Sequence, residues 1–406
     1  MEYSTLMELC ISLAYRLAMC GAETYRIEDS VNRITAAYGV HAETFAIPNC
    51  IHVSIVAEDG TALTRMCRVG SHDNDLDSVE LYTALSRRIC AQRPDLKVAL
   101  DWLYQTDRSK RSYSLPVYLL GNFLGGCGFS VVFGGSLLDS LLGGLCGIVI
   151  GFADRCLSRL RVNPFFRIIA CAFFMALLAY ACSAANITRH VDSVIIGALM
   201  ILVPGLLFTN AMRDIIYGDT NSGINRIVQV FLIAVAIALG TGAAWVSVNA
   251  VCPLSPTSIA LVHALIPDIC AAFVGCIGFF ILFNIHGIGG ILCALGGALT
   301  WLTFRLCQPI GLGDLPAYFF ATVIASGYSE IMARIRKCPA ISYLVVSAFP
   351  LLPGAGIYYA MNYAIQGEMT LFVNKFTETL SIAGVMAVGI LIVSTSVRLI
   401  TERVKK

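Results

Sequence analysis

The chain has 406 residues, of which 57% are hydrophobic and only 13% are charged. Soluble domains carry about a quarter charged residues, so this composition excludes a soluble protein and predicts an integral membrane protein. The formal net charge is +2 and no basic tract occurs, so we expect no nucleic-acid partner. The 16 cysteines include no CxxC pair and many lie in apolar runs. We therefore expect no disulfide framework, no bound metal and no cofactor.

The first 112 residues differ from the rest of the chain. They hold much of the charge and no apolar run of the ~20 residues that a spanning helix needs. Asp59-Gly60, between two stretches that alternate like strands, is typical of a hairpin. We predict a small cytoplasmic α+β domain over residues 1–112. Its predicted helices cover residues 6–19, 22–38 and 75–90, and its predicted strands cover residues 45–57 and 62–69.

Beyond residue 112 the chain consists of about ten apolar runs, each near the ~20-residue spanning length. Residues 113–250 and 251–406 hold five runs each, and an odd number turns the second copy upside down relative to the first. The predicted fold is a membrane all-α protein, with ten transmembrane helices in two inverted five-helix repeats after the α+β domain. The predicted spans are 114–133, 136–153, 164–185, 191–216, 225–249, 259–283, 287–307, 314–333, 340–365 and 377–400.

The basic residues of the predicted loops sort to one side of the membrane. Most lie on the side of the linker between the N-terminal domain and the first span. The opposite loops carry only Arg189, Arg305 and Lys375. By the positive-inside rule, the linker side is cytoplasmic, so we expect both termini inside.

Two Pro-Gly pairs interrupt long apolar runs. Pro204-Gly205 lies in the run 194–216, and Pro353-Gly354 lies in the run 341–365. A broken span leaves backbone groups that only protein or a wet cavity can pair. One such pair is explained by a packing kink. Two in matching places, 149 positions apart (353 − 204 = 149), indicate an internal repeat with a binding site at the breaks.

Polar residues close to the breaks are the candidate substrate ligands. Thr209 and Asn210 follow the first break. Tyr358, Tyr359 and Asn362 follow the second. Arg213 and Asp214 either face the cavity or mark the cytoplasmic end, where charged side chains snorkel to the interface. The predicted substrate-binding residues are Pro204, Gly205, Thr209, Asn210, Arg213, Asp214, Pro353, Gly354, Tyr358 and Asn362.

Two carboxyl groups within apolar spans are the candidate proton carriers. Asp268 follows Pro267 among apolar residues, where burial disfavours the charged form, unless it lies at the extracellular end. Glu330 is the second candidate, although an ion pair with Arg334 one helical turn later is the favoured interpretation.

The N-terminal domain offers an alternative from another class of protein, a membrane-tethered hydrolase. Cys50 and His52 share a face of a predicted strand, and His72 follows. No nucleophile elbow, phosphate loop or metal spacing accompanies them. An anchor also needs one or two spans rather than a duplicated ten. Helix-surface ion pairs explain the charged residues Glu23, Arg26, Asp29 and Arg33.

Several motifs resemble the threonine/serine exporter family, and the resemblance covers nearly the whole chain. Residues 21–29 (Gly-Ala-Glu-Thr-Tyr-Arg-Ile-Glu-Asp) resemble the family's N-terminal signature. The polar and Pro-Gly positions from Leu202 to Gly223 look like its first membrane motif. Similarity to its smaller companion domain lies in Phe279 to Asn284, Pro316 to Phe320, Glu330, Pro339 and Leu352-Pro353-Gly354.

The resemblance implies export of small amino acids, threonine and serine, across a bacterial inner membrane, driven by the proton-motive force. Two-subunit relatives with the same halves are associated with succinate export, so dicarboxylate export is the alternative. A channel, which lacks coupling, is a further rival. The implied partners are a small-molecule substrate (amino acid or dicarboxylate), protons and the lipid bilayer, and the sequence is compatible with a homo-oligomer. Neither substrate nor coupling ion follows from composition or spacing.

Overall fold

The computed structural model describes residues 2–70, 74–252, 261, 264–311 and 313–404. The chain divides into two compact units. The N-terminal unit comprises Met1–Tyr113 together with two short later segments, Phe283–His286 and Arg336–Ser342. The remaining residues, Ser114–Leu282, Gly287–Ile335 and Tyr343–Lys406, form the helical unit.

The N-terminal unit packs four helices around a three-stranded sheet. Leu6, Leu9, Leu13 and Leu17 of the first helix are all fully buried, so the helix predicted over residues 6–19 turns one apolar face inward. They share a core with the second strand, where alternate residues point inward. The elements are α1 (Tyr3–Met19), α2 (Thr24–Ala37), β1 (Ala42–Ile47), β2 (Cys50–Val56), β3 (Ala62–Arg68), α3 (Leu76–Gln92) and α4 (Leu96–Arg108).

The sheet is antiparallel with the order β1-β2-β3. The turn at Asp59-Gly60 joins β2 to β3 as predicted, with Gly60 at φ +82°. The prediction of one continuous strand over residues 45–57 is wrong, because β1 and β2 form a hairpin in which Ile47 faces Cys50. Pro48 and Asn49 make the turn, since proline has no N–H for a ladder and both residues favour turns.

Helix α4 was not among the predicted elements, and it takes up residues assigned to the linker. It is tied to α1 by Asp107, whose Oδ2 lies 2.7 Å from Arg16 Nη2. Tyr82 of α3 donates to the same carboxylate. Partial burial raises the pKa of Asp107, but the hydrogen bonds from Arg16 and Tyr82 outweigh it and hold this pKa below its usual value.

The two later segments join the N-terminal unit through hydrogen bonds. Asn284 Nδ2 donates to Asp75 Oδ1 at 2.8 Å and to the Arg111 carbonyl at 2.7 Å. Tyr113 stacks on His286 with the ring centroids 4.2 Å apart. The segments Phe283–His286 and Arg336–Ser342 therefore belong to the N-terminal unit although they are far from it in the chain.

The helical unit contains the apolar part of the chain. Among the described residues, seven helices are long and apolar enough to cross a membrane, or eight if one pair bent by 47° forms a single span. The seven are α5, α6, α7, α10, α11, α12 and α16, and the bent pair is α14–α15. The helices are α5 (Leu115–Val132), α6 (Leu137–Arg159), α7 (Pro164–Ala184), α8 (Val191–Leu199), α9 (Gly205–Tyr217), α10 (Thr220–Asn249), α11 (Leu265–Leu282), α12 (Ile288–Cys307), α13 (Asp314–Arg336), α14 (Ile341–Ser347), α15 (Gly354–Ile365) and α16 (Met369–Val404).

The same order of helices occurs twice in this unit. Three long helices are followed by a pair interrupted at Pro-Gly and then by another long helix, in α5–α10 and again in α11–α16. Corresponding helices begin about 150 positions apart, as for α5 and α11 (265 − 115 = 150). The predicted count of ten spans adds α13 and the α8–α9 pair to the helices that qualify by length and composition.

Helices α5 and α11 cross through glycines. A Cβ on Gly128 would lie 2.3 Å from the backbone N of Gly275, and a Cβ on Gly278 would lie 2.2 Å from that of Gly125. Small residues allow such close backbone approach inside a membrane. The contact is reciprocal, because Gly125 and Gly275 occupy equivalent positions (275 − 125 = 150), as do Gly128 and Gly278.

Candidate functional site

The two Pro-Gly breaks have the same backbone conformation. Pro204 precedes α9 with φ −83° and ψ 41°, and Pro353 precedes α15 with φ −77° and ψ 41°. Each proline accepts the first hydrogen bond of the helix that follows it, from Phe208 and Ile357 respectively. The Gly354 N–H donates back to the Leu352 carbonyl at 2.7 Å. The N–H groups that follow it, and those at the start of α9, have no acceptor within their own helix and favour a polar or anionic group in front of them.

The structure brings the two breaks into contact. A Cβ on Gly205 would lie 2.8 Å from the Cβ of Leu352, and a Cβ on Gly354 would lie 2.6 Å from Cγ1 of Val203. Each glycine thus packs against the residue before the other break's proline. This contact needs glycine on both sides, and it places both helix N-termini at one location.

The end of α9 carries a compact charged network. Asp214 Oδ2 accepts from Arg226 Nε at 3.0 Å and from Ser222 Oγ at 3.0 Å. Arg213 Nη2 lies 3.9 Å from the other carboxylate oxygen. Asp214 and Arg213 are 6% and 8% exposed, so both charges are buried and held by partners. Gly218, at φ +99°, turns the chain from α9 into α10 and makes the network possible.

Thr209 and Asn210 lie between this network and the break. The Thr209 hydroxyl is buried and donates to the Gly205 carbonyl at 3.2 Å, one turn earlier. Asn210 is half-buried, and within the described part of the chain its side chain makes no hydrogen bond. The side-chain amide of Asn210 is therefore available to a ligand, whereas the Thr209 hydroxyl already donates to the backbone.

The helix after the second break carries aromatic hydroxyl groups. Tyr358 is buried and packs in one cluster with Tyr180 of α7. Its ring centroid lies 5.6 Å from that of Tyr359, which is half-buried. Asn362 follows one turn later and is also half-buried. The residues of the second half that were predicted to bind substrate thus lie on α15 or directly before its first residue.

Asp268 has partners that the sequence argument did not foresee. It is 1% exposed, forms an ion pair with Arg305 of α12 and accepts from Trp301 Nε1 at 3.0 Å. The prediction rested on a carboxyl group surrounded by apolar residues. In the structure this carboxyl group instead forms an ion pair with the guanidinium of Arg305, 37 positions later in the chain.

Glu330 forms the predicted ion pair with Arg334, at 2.8 Å between Oε2 and Nη1. Arg334 is half-exposed, so this pair resembles a surface pair rather than a buried network. The bonds described here for Asp268 and Glu330 go to α12 and α13, not to residues of the breaks.

A second buried carboxylate network, around Asp139, lies outside the residues that the sequence pattern singled out. Asp139 is 1% exposed and caps α6 through Ser136. The Thr188 hydroxyl donates to it, and His190 Nδ1 lies 3.0 Å from its Oδ2. Ser136 and Asp139 at positions N-cap and N3 form a capping box, which is a signal that the sequence offered.

The N-terminal unit shows little that supports a hydrolase. Cys50 Sγ lies 3.4 Å from His52 Nε2 on the sheet surface, and His72 lies outside the described residues. Arg26 pairs with Glu23 and Arg33 with Asp29, as predicted. In the part of the chain that the structure describes, no three His, Cys, Asp or Glu residues form a metal-binding group.

Comparison with known proteins finds threonine/serine exporters for both parts of the chain. The family described as "Putative threonine/serine exporter" matches residues 8–247, and the family described as "Threonine/Serine exporter, ThrE" matches residues 268–396. A threonine/serine exporter of Corynebacterium glutamicum is 22% identical over 404 residues, which cover 96% of this chain and 82% of that protein. No solved structure matches. With apolar helices that can span a membrane and both halves matched, the chain is a membrane transporter and belongs to the threonine/serine exporter family.

Proposed function

We propose that this protein exports threonine and serine from the cytoplasm of a bacterium, driven by the proton-motive force. The observation that carries the proposal is the contact between two breaks of equal conformation. Helix N-termini attract a carboxylate, because free N–H groups and the helix dipole favour anions. The curated relative is named as a threonine/serine exporter, which supports an amino acid as the substrate.

The test is transport by the purified protein in proteoliposomes. We expect labelled threonine and serine to exchange across the membrane, and an imposed proton gradient to accumulate them on one side. Labelled succinate is the comparison substrate. Exchange of succinate without threonine would replace amino-acid export by dicarboxylate export. Flux that never runs against a gradient would indicate a channel.

The proposed topology has ten spans in two inverted repeats, 113–250 and 251–406, after a cytoplasmic domain of residues 1–112. The repeated helix order and the reciprocal glycine contacts of α5 and α11 support two equivalent halves. The segments Phe283–His286 and Arg336–Ser342 join the N-terminal unit, which supports their location on the linker side. The C-terminus is then also inside the cell.

Two exposed native cysteines report on this topology. Cys156 follows the second span and Cys252 follows the fifth, and both are exposed. A membrane-impermeant maleimide added to intact cells should label Cys252 and spare Cys156, and permeabilised cells should label both. The variants Cys156→Ser and Cys252→Ser identify each signal. Labelling of both sites from outside would contradict the ten-span topology.

We assign substrate binding to the residues that flank the breaks: Pro204, Gly205, Thr209, Asn210, Arg213, Asp214, Pro353, Gly354, Tyr358 and Asn362. Asn210 is the sharpest test, because its amide has no partner within the described residues. We expect Asn210→Ala to lower transport while the protein still inserts and keeps its melting temperature. Unchanged flux in this variant would remove Asn210 from the site.

We assign proton coupling to Asp268, with Arg305 as the group that responds to it. Protonation of Asp268 would remove the anion that holds Arg305, so the pair can alternate between two arrangements. Asp268→Asn should abolish accumulation driven by a pH gradient and leave exchange partly intact, because exchange moves no net proton. If the variant still drives uphill transport, Asp268 is structural and Glu330 or Asp214 is the next candidate.

A further inference from the structure

His190 and Asp139 form a titratable pair at the start of α8. His190 immediately precedes α8, and its Nδ1 lies 3.0 Å from Oδ2 of Asp139, which belongs to the first turn of α6. The Asp139 side chain is 2% exposed and the His190 side chain is 16% exposed, so the carboxylate is buried while part of the imidazole reaches the surface. Neither residue belongs to the charged network of α9 or to the ion pair of Asp268 with Arg305.

The hydrogen bonds of Asp139 decide which of the two residues takes up a proton. Its Oδ2 accepts from the N–H and from the hydroxyl of Ser136, at 2.7 Å each, and its Oδ1 accepts from the Thr188 hydroxyl. A carboxyl group that accepts at both oxygens is the ionised form. The Nδ1–H of His190 then donates to Oδ2, which leaves Nε2 of the neutral ring as the atom that binds a further proton. Histidine is the side chain that ordinarily changes charge between pH 5 and 8.

Among the described residues, Asp139 is the charged side chain bonded to the imidazole. Helix α8 packs against α5, α6 and α7, and it shares a buried cluster with α10 and α15. The adjoining stretches of these helices contain no acidic, basic or histidine side chain other than Asp139: residues 121–135, 136–153, 168–187, 227–249 and 354–365. On its own segment His190 is flanked by Arg189 and Asp192, both exposed. The titratable groups of the cluster are thiols and phenols, which are uncharged near neutral pH: Cys146, Cys171, Tyr180, Cys182, Tyr358 and Tyr359.

The pair is one of several bonds that join the start of α8 to the turn before α6. The Thr188 hydroxyl, which donates to Asp139, also accepts from the backbone N–H of His190 at 3.1 Å. The Ser193 hydroxyl donates to the Phe133 carbonyl at 2.9 Å. Helix α8 continues into the first break. The strength of the bond between His190 and Asp139 therefore affects how firmly the segment that leads into this break is held.

A proton on Nε2 turns the hydrogen bond of the pair into an ion pair. The proton comes from external water, no covalent bond of the protein breaks, and the net charge of the pair changes from negative to neutral. Opposite charges at this distance attract each other, so the proton strengthens the bond. We propose that His190, held by Asp139, is the site at which a proton from outside the cell binds and fastens α8.

The proposed topology places this site on the extracellular side, because α7 ends there and α6 begins there. A fastened α8 opposes the rearrangement of the first break, so protonation of His190 slows the exchange of substrate. The inference rests on the proposed export driven by the proton-motive force. It adds an external proton site to the assignment of Asp268.

The experiment measures exchange of labelled threonine by the full-length protein in proteoliposomes, with the same pH on both sides. No proton gradient then drives transport, and the pH profile of the rate reports proton binding. We expect wild-type exchange to be about fivefold slower at about pH 5 than at about pH 8.

Two substitutions of His190 separate its charge from its hydrogen bond. His190→Asn can still donate from its amide to Asp139 but binds no proton, so exchange should keep the fast rate of high pH throughout. His190→Lys carries a cation over the whole range, so exchange should keep the slow rate of low pH throughout. A merely structural role would lower the rate of both variants at every pH. His190→Gln repeats the test if the asparagine variant does not insert.

The matched control is His286→Gln. The His286 side chain is also half-buried, and its Nε2 lies 3.0 Å from an oxygen acceptor, Oδ1 of Asn284, in the N-terminal unit. We expect this variant to keep the wild-type pH profile. The inference is wrong if wild-type exchange does not change over this range or if His190→Asn keeps the wild-type profile. It is also wrong if His286→Gln flattens the profile as much as His190→Asn does.

Failure of the proposed function gives a different result. If an imposed proton gradient accumulates no threonine in wild type, proton-driven export is wrong. Exchange needs no gradient, so its pH profile in wild type and His190→Asn still decides whether His190 binds the proton that fastens α8. If the wild type exchanges succinate and not threonine, the same profiles are measured with labelled succinate.

Discussion

The helices that leave the two breaks, α9 (the first arm) and α15 (the second arm), begin alike and end differently. Both α9 and α15 start after a proline of the same conformation, and both are followed by a glycine with positive φ, Gly218 and Gly367. The first arm ends in buried charges, Asp214 with Arg226. The second carries tyrosine hydroxyls instead. The same backbone conformation at the two breaks thus leads to a charged arm in one half and to an uncharged, aromatic arm in the other.

The arms also differ in what holds them. Asp214 is bonded to residues 8 and 12 positions later, so the charged network ties α9 to the start of its own next helix, α10. Tyr358 packs in one buried cluster with Tyr180 and other residues of the other half of the unit. The first arm is therefore held locally by charge, and the second is held across the halves by apolar packing.

The largest effect should come from breaking the charged network. Arg226→Gln leaves Asp214 buried without its nearest cation, and removing one member of a buried ion pair costs about 3 kcal/mol or more. We expect a lower melting temperature in detergent and loss of transport. The double variant Asp214→Asn/Arg226→Gln should recover part of the stability, because the carboxylate that Arg226 balances is then removed as well.

Arg226→Lys is the matched control for the charge. It keeps the cation but not the planar guanidinium, so we expect a smaller loss than in Arg226→Gln. Should Arg226→Gln unfold at the wild-type temperature, the first arm does not depend on its charges, and the contrast between the arms fails.

The next largest effect should come from the contact between the two breaks, in which Gly205 packs on Leu352 and Gly354 packs on Val203. Gly205→Ala and Gly354→Ala each place a methyl group within 2.8 Å of a side-chain carbon, and such overpacking costs about 1–3 kcal/mol. Both variants should lose stability and transport to a similar degree. Gly242→Ala and Gly327→Ala, one in each half, meet nothing within 4 Å and should stay near wild type in the same assays.

Much of the local structure could be predicted from the sequence. The spacing of the leucines in α1, the Asp59-Gly60 turn and the two proline breaks are all consequences of neighbouring residues. The turn at Pro48-Asn49 was predictable too, and alternation on both sides of it concealed it. Helix periodicity and turn chemistry need no knowledge of the rest of the chain.

Partners far apart in the chain could not be predicted. Asp268 and Arg305 are separated by 37 positions, and Asp139 and His190 by 51. Their pairing depends on which helices pack together, and no local pattern specifies that. The mutual contact of the breaks has the same origin. Proline and glycine set the local shape of each break, but only the packing of α9 and α15 brings the two breaks together.

A smaller effect is expected in the tyrosine arm. Tyr358→Phe removes one buried hydroxyl group, and hydrogen bonds between membrane helices contribute about 0.6 kcal/mol on average and at most about 1.7. A modest fall in melting temperature should result. Transport should fall more for Tyr358→Phe than for Phe substitution at exposed Tyr217 of α9. A loss as large as in Arg226→Gln would remove the distinction between the arms.

The smallest effect should come from Glu330→Gln, which removes a charge whose ion-pair partner is half-exposed. Glu330 and Arg334 form an i, i+4 pair on α13 with Arg334 half-exposed, and such pairs contribute only about 0.3–0.5 kcal/mol. Water or lipid headgroups can solvate the arginine that remains, so no buried charge is left without a partner. We expect an unchanged melting temperature and, if Asp268 carries the proton, unchanged accumulation under a pH gradient. A stable Glu330→Gln variant that exchanges threonine but no longer accumulates it would move the coupling site from Asp268 to Glu330. The proton would then be carried by α13, through a carboxylate whose ion-pair partner is half-exposed, rather than by the buried pair of Asp268 and Arg305.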